Sequence, residues 1–199
     1  MDIDNLYLTD MEAALIAAWQ LEFDGTDVVK VVQGDFFSTA ADALVSPANS
    51  FGIMDGGLDL AIRYELGHGI EARVQDHIVQ HCYGELPVGN AVIVETGHCD
   101  WPYLVVAPTM RVPMDIRHTL NAYLAFRAVL IAVLRHNMSH PQNAIRSLVC
   151  PGLGTGVGRM SAAQCALQMK IAYEQMNRPA GIPGVAELND VYRRLSSLS

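Results

Sequence analysis

Ser147-Leu148-Val149-Cys150-Pro151-Gly152-Leu153-Gly154-Thr155-Gly156-Val157-Gly158-Arg159-Met160-Ser161 runs from a short apolar segment, through alternating glycines, to a serine. Its first four residues read as a strand stopped by Pro151, and Ser161 as the N-cap of a helix reaching about Met176. A strand feeding a helix through such a loop is a building unit of α/β folds. Glycine lets the backbone reach positive φ and approach a ligand closely. Successive N–H groups then form an anion-binding concavity, and the helix start adds positive potential. The plain alternative is a tightly packed turn. No Gly-Lys-Ser/Thr ends the loop, so it is not a Walker A motif. Counting G-x-G-x-x-G from Gly154 puts Arg159 at the sixth position, and from Gly152 it puts Val157 there. Readings as an ATPase or a dinucleotide-dependent dehydrogenase lose weight accordingly.

The same grammar recurs upstream. Residues 10–21 have helical spacing with Asp10 as N-cap, and residues 28–32 and 41–46 read as strands. A loop rich in Gly, Asn and Ser covers residues 47–57, and a helical run follows over 58–81. Strands are expected at 89–96 and 103–107, and a long amphipathic helix at 115–137. Short apolar strands that end in Gly or Pro and run into helices indicate an α/β fold with a mixed sheet covered on both faces. Ligands of such folds sit beyond the carboxyl ends of the strands, where both glycine-rich loops fall. Residues 1–178 are expected to form one domain. Residues 179–199 form a C-terminal extension, with Pro179, Gly181, Pro183 and Gly184 preceding a helical pattern at 185–195.

The first loop carries Asn49, an amide able to fix a hydroxyl group, and the pair Gly56-Gly57. Asp59 follows within the first turn of the predicted helix. There a carboxylate either orients water or a ribose hydroxyl, or simply complements the helix dipole. Gly34-Asp35-Phe36 ends the strand at 28–32; Asp35 is either a turn residue or an acceptor for an exocyclic amine.

Composition narrows the partners. Charged residues make up only 17% of the 199 residues, and hydrophobic residues make up 51%, which excludes a disordered chain. The net charge is −8, and the 13 Lys and Arg residues are scattered, so long nucleic acid is not an expected partner. No apolar stretch is long enough to span a bilayer and the opening is acidic, so a cytoplasmic setting without membrane contact is expected. The four cysteines form no C-x-x-C pair and are expected to be reduced and mostly buried. His77 and His81 stand four apart on a predicted helix with Cys82 adjacent, a spacing that suits a metal. No convincing further ligands complete a set and a polar helix face is the expected reading, so no metal and no cofactor is expected.

Taken together and in order, Gly34-Asp35-Phe36, Asp42-Ala43-Leu44-Val45-Ser46-Pro47-Ala48-Asn49-Ser50, Asp55-Gly56-Gly57-Leu58-Asp59-Leu60-Ala61-Ile62 and Gly154-Thr155-Gly156-Val157-Gly158 resemble the macro domain family. The resemblance covers roughly residues 28–176. It implies a three-layer α/β/α sandwich with a central mixed sheet that binds ADP-ribose or an ADP-ribosylated substrate. It places Asp35 on the adenine amino group with the Phe36 backbone beside it, and Asn49 at the distal ribose. Gly56, Gly57 and Leu58 would line the diphosphate and distal ribose, and Gly154, Thr155, Gly156, Val157 and Gly158 would wrap the diphosphate. Asp59 stands where hydrolytic members carry a catalytic aspartate. Ser46-Pro47 replaces a frequent Asn-Ala, Asp55 replaces one glycine of a triple, and Gly158 replaces a Phe or Tyr that packs on the distal ribose. Arg159 is a candidate to pair with a phosphate in compensation, against a reading as a solvated helix-start residue.

Two functions of different classes fit these residues. The first is hydrolysis of an ADP-ribosyl linkage, either de-ADP-ribosylation or O-acyl-ADP-ribose deacylation, with Asp59 and Asn49 as catalytic residues. The second is a non-catalytic module that binds ADP-ribose or a related nucleotide signal. A structural protein without a nucleotide ligand is the third and weakest reading. The residues leave the linkage and the oligomeric state open.

Overall fold

The core centres on short strands at residues 43–46, 103–106 and 147–150 whose consecutive residues are mostly apolar, which requires cover on both faces of the sheet. The computed structural model describes residues 3–196; Met1-Asp2 of the acidic opening and residues 197–199 of the extension lie outside the described residues. Six strands are present among the described residues: β1 (Asn5–Asp10), β2 (Val29–Gln33), β3 (Ala43–Ser46), β4 (Val92–Glu95), β5 (Tyr103–Val106) and β6 (Ser147–Cys150). They lie in the order β2-β1-β6-β3-β5-β4. All neighbours are parallel except β4, which runs antiparallel to β5. The helices are α1 (Ala13–Glu22), α2 (Gly57–Leu66), α3 (Gly69–Cys82), α4 (Asn121–Ser139), α5 (Ala162–Met176) and α6 (Val185–Ser196).

The period of two along a strand sorts side chains between the layers. Ala43 and Val45 of β3 face Trp19 of α1, Phe126 of α4 and Met169 of α5. Leu44, between them, faces Ile62 of α2 and Ile70, Val74 and Ile78 of α3. β6 behaves likewise, with Leu148 and Cys150 on the first face and Val149 on the second. Each fully buried Leu, Ile or Val contributes roughly 1.5–3 kcal/mol. The result is the α/β sandwich with a mixed sheet that the strand and helix pattern implies.

Four local expectations are corrected. β1 is a strand where no strand was expected, and it lies inside the sheet between β2 and β6. Asp10 therefore ends a strand instead of capping α1, although its Oδ1 still accepts from the Glu12 N–H at 3.0 Å. The helical run at 58–81 is two helices, broken where Gly67 takes φ +90°. The long helix starts at Asn121 and not at 115, because the Asp115 carboxylate turns back onto the Arg117 N–H at 3.1 Å and Thr119 Oγ1 bonds the Ile116 carbonyl. Of the four free cysteines, Cys150 and Cys165 are buried, Cys82 is half-buried and Cys99 is exposed.

Ser161 caps α5 as expected, in a reciprocal capping box with Gln164. α6 packs against α5, with Arg194 Nη1 donating to Glu174 Oε2 at 3.0 Å, and its Leu195 is buried. No helix among the described residues is long and apolar enough to cross a membrane.

Candidate functional site

β1, β6, β3 and β5 are parallel, so their carboxyl ends and the loops that follow converge at one edge of the sheet. A cleft of about 380 Å³ opens there, lined by Asp10 at the end of β1, by residues 47–49, Ile53 and residues 55–59 after β3, by Thr109, Met110 and Pro113 after β5, and by the glycine loop after β6. The two glycine-rich loops thus face each other across one cavity.

The late loop is shaped by contacts that only glycine permits. Gly154 takes φ +77°, and a Cβ there would sit 2.6 Å from Ile116 Cδ1. At Gly158 a Cβ would lie 2.5 Å from the Gly154 carbonyl oxygen and 2.6 Å from Ile116 Cγ1. Ile116 is buried, and its N–H donates to the Gly158 carbonyl at 2.9 Å. Arg159 N–H closes onto Gly156 O and Met160 N–H onto Gly154 O, each at 3.0 Å. Among the described residues, the N–H groups of Thr155, Gly156, Val157 and Gly158 have no acceptor. This run of unpaired donors beside a cavity is the geometry of an anion nest.

On the opposite wall, α2 starts at the cleft with Gly56 as an N-cap that offers no side-chain acceptor, and Gly57 follows at φ +56°. The positive end of α2 therefore faces the cavity uncapped. Asn49 fixes the shape of this wall. Its Oδ1 accepts from the Phe51 and Ile53 N–H groups at 3.0 and 3.3 Å, and its Nδ2 donates to the Ile53 carbonyl at 2.7 Å.

Asp59 is the chemically distinctive residue of the cleft. It is 9% exposed, and Ser46 Oγ donates to its Oδ1 at 2.6 Å. Burial pushes the Asp59 carboxyl up to about 6, partly offset by the Ser46 hydroxyl, which favours the charged form. A carboxyl poised that near neutrality beside a cavity is suited to taking or giving a proton. No Lys, Arg or His lines the cleft, while Asp10, Asp55 and Asp59 do. An anion held here is held by backbone N–H groups and not by a cation.

The fold brings Asn49, Gly56, Gly57, Leu58, Asp59 and Gly154, Thr155, Gly156, Val157 and Gly158 to this one cleft. Asp35, Phe36 and Arg159 lie outside its lining. Asp35 is exposed and caps a short 3-10 turn, accepting from the Phe37 N–H at 3.0 Å. Phe36 is buried in the second core, edge-on to Phe37. Arg159 is exposed, takes φ +55° and acts electrostatically on Asp115. Arg111 pairs with both oxygens of Glu85 at 2.8 and 3.0 Å and lies over the Phe51 ring. Sequence reasoning missed Ser46, Asp10 and Ile116. Asp10 holds the late loop through the Gly152 N–H at 3.4 Å. Of these three, only Ser46 carried a signal, as the departure from Asn at the end of β3.

Among the described residues the one His/Cys/carboxylate group close enough to share an ion is His98, Cys99 and Asp100, on the loop before β5 and outside the cleft.

The comparisons with known proteins agree with this architecture. The macro domain family model matches residues 45–169. An uncharacterized protein of Aeropyrum pernix is 32% identical over 148 residues, covering 74% of this chain and 71% of that protein. The O-acetyl-ADP-ribose deacetylase 1 of Pantoea vagans is 31% identical over 133 residues, covering 65% of this chain and 71% of its own. Among solved structures, the Oceanobacillus iheyensis macrodomain with ADP superposes with a TM-score of 0.57 at 20% identity, over 83% of this chain and 88% of that one. With a matching family model over most of its length and the two glycine loops facing across one cleft, the chain belongs to the macro domain family.

Proposed function

We propose that the cleft binds ADP-ribose or an ADP-ribose derivative and hydrolyses an ADP-ribosyl linkage. The observation that carries binding is the run of four unpaired N–H groups from Thr155 to Gly158, opposite the uncapped start of α2. Such donors suit a diphosphate without any cation. The observation that carries hydrolysis is Asp59, nearly buried in the same cleft and held by Ser46. Its carboxylate would take a proton from a water that attacks the anomeric carbon of the distal ribose, while the linked group departs with a proton. With an O-acyl ester the water attacks the acyl carbonyl instead, and the products are a carboxylic acid and ADP-ribose. The deacetylase name of the Pantoea vagans relative supports this chemistry. Asn49 would then act through the wall it holds, and Asp35, Phe36 and Arg159 would be reached only by the far ends of a long ligand.

A second reading, a binding module without turnover, is favoured by Gly158. No side chain fits there, so no ring from that position can hold the distal ribose. Calorimetric titration with ADP-ribose, using AMP and NAD as comparators, tests the shared premise. ADP-ribose is expected to bind much more tightly than AMP, and absence of binding refutes both readings. Release of ADP-ribose from ADP-ribosylated protein and from O-acetyl-ADP-ribose then separates them. Turnover by wild type that is lost in Asp59→Ala supports the hydrolase, and binding without release supports the module.

A further inference from the structure

β4 is an edge strand that pairs with β5 and, among the described residues, has no neighbour on its other side. Its residues Val92-Ile93-Val94 carry none of the charges or prolines that usually blunt an edge, its one charge being Glu95 at the last position, whereas the opposite edge strand β2 has Lys30 at its second position. Val92 pairs with Val106 and Val94 with Leu104, and the Thr96 N–H continues that ladder to the Pro102 carbonyl at 2.9 Å. Alternate residues of an antiparallel strand point their backbone groups to opposite sides. Ala91 and Ile93 therefore present their N–H and C=O groups outward. The Glu95 carbonyl, the next in that series, is already covered by Arg73 Nη1 at 3.2 Å.

A groove of about 600 Å³ runs along this open edge between α3 and α4. Arg127, Ile131 and Arg135 of α4 form one wall, and no Asp or Glu lines the groove in a chain that has 21 acidic and 13 basic residues. Both arginines are exposed, and neither has an ion pair among the described residues. We propose that this groove binds an extended acidic segment of a partner protein, added to β4 as a seventh strand. The spacing specifies the segment. Arg127 and Arg135 are eight residues apart, about 12 Å along a helix. Same-face residues i and i+4 of a strand are about 13 Å apart. The segment reads acidic-x-apolar-x-acidic, with its two carboxylates on the arginines and its apolar residue on Ile131. Main-chain bonds to Ala91 and Ile93 supply the rest of the grip. A second copy of this chain docking by its own β4 would bring like-charged arginines together, so the occupant is a different, acidic protein.

The test is fluorescence anisotropy with a labelled peptide containing Glu-Thr-Val-Thr-Glu. Saturable binding is expected, weakened at least tenfold by the double substitution Arg127→Glu and Arg135→Glu, with circular dichroism verifying that the variant folds. A Lys-Thr-Val-Thr-Lys peptide is expected not to bind, and N-methylation of alternate amides of the Glu peptide is expected to abolish binding. The proposal is overturned by no saturable binding of the Glu peptide, by equal binding of the Lys peptide, or by binding that survives N-methylation. It is overturned equally if sedimentation shows a dimer of this chain whose formation displaces the peptide. The readout does not depend on ligand binding or turnover in the glycine-loop cleft.

Discussion

Replacing Asp59 with asparagine keeps the side chain's shape and its ability to accept from Ser46, and removes its charge. In the wild type the folded carboxyl titrates at about 6 against an ordinary value of 3.8, because burial disfavours the anion. About two units at 1.36 kcal/mol each correspond to roughly 3 kcal/mol. The unfolded chain loses this proton near 3.8 and the folded chain near 6, so between those values the unfolded state binds fewer protons. Stability then falls as pH rises through that window, and the loss is nearly complete above about pH 7. The substituted amide has no charge to bury. The Asp59→Asn variant is therefore expected to gain on the wild type by up to about 3 kcal/mol between about pH 3 and pH 8, and under the proposed hydrolase reading to lose turnover. Any cost of seating the amide is the same at every pH, so the change in the gap isolates the charge. Urea unfolding of both proteins at about pH 4, 6 and 8 measures it. A gap that stays constant with pH would refute the argument that Asp59 is held in the cleft against its own desolvation.

Ser46→Ala removes the one contact that favours the Asp59 anion, so the carboxyl is expected to titrate higher still; carbon NMR titration of Asp59 reads this, and an unchanged or lower value contradicts the assignment. Gly158→Ala is expected to cost about 1–3 kcal/mol, since its Cβ meets backbone, whereas Gly156→Ala points into open space and is expected to be nearly neutral. Thermal unfolding of the two variants decides whether the late loop is shaped as described. Cys99 is expected to react quickly with a thiol reagent in the native protein. Cys150 and Cys165 are expected to react only after unfolding, because burial pushes the Cys165 thiol up to about 12 and the Cys150 thiol up as well. Rapid native labelling of either buried cysteine would contradict their place in the core.

The parts of this protein legible from its sequence are those in which neighbouring residues carry the physics. Alternating glycines between an apolar strand and a capping serine specify an anion-facing loop, because the freedom of φ and the direction of N–H groups are local properties. The strand-to-helix alternation specifies a covered sheet for the same reason. β1 was not legible, since Asn5–Asp10 is a short, half-polar segment that becomes a strand by pairing with β2 on one side and β6 on the other. The break at Gly67 was hidden because apolar spacing continues across it. At the site, the sequence alone determined which residue types were on hand: two glycine loops, the Asn49 amide and the Asp59 carboxylate among its acidic residues. The tertiary structure alone decided that Ser46 holds Asp59 and Ile116 wedges the late loop, and that Asp35, Phe36 and Arg159 lie outside the cleft. Asp59 has its unusual titration because packing removes water from it, and desolvation depends on the surrounding chain and not on neighbours in sequence.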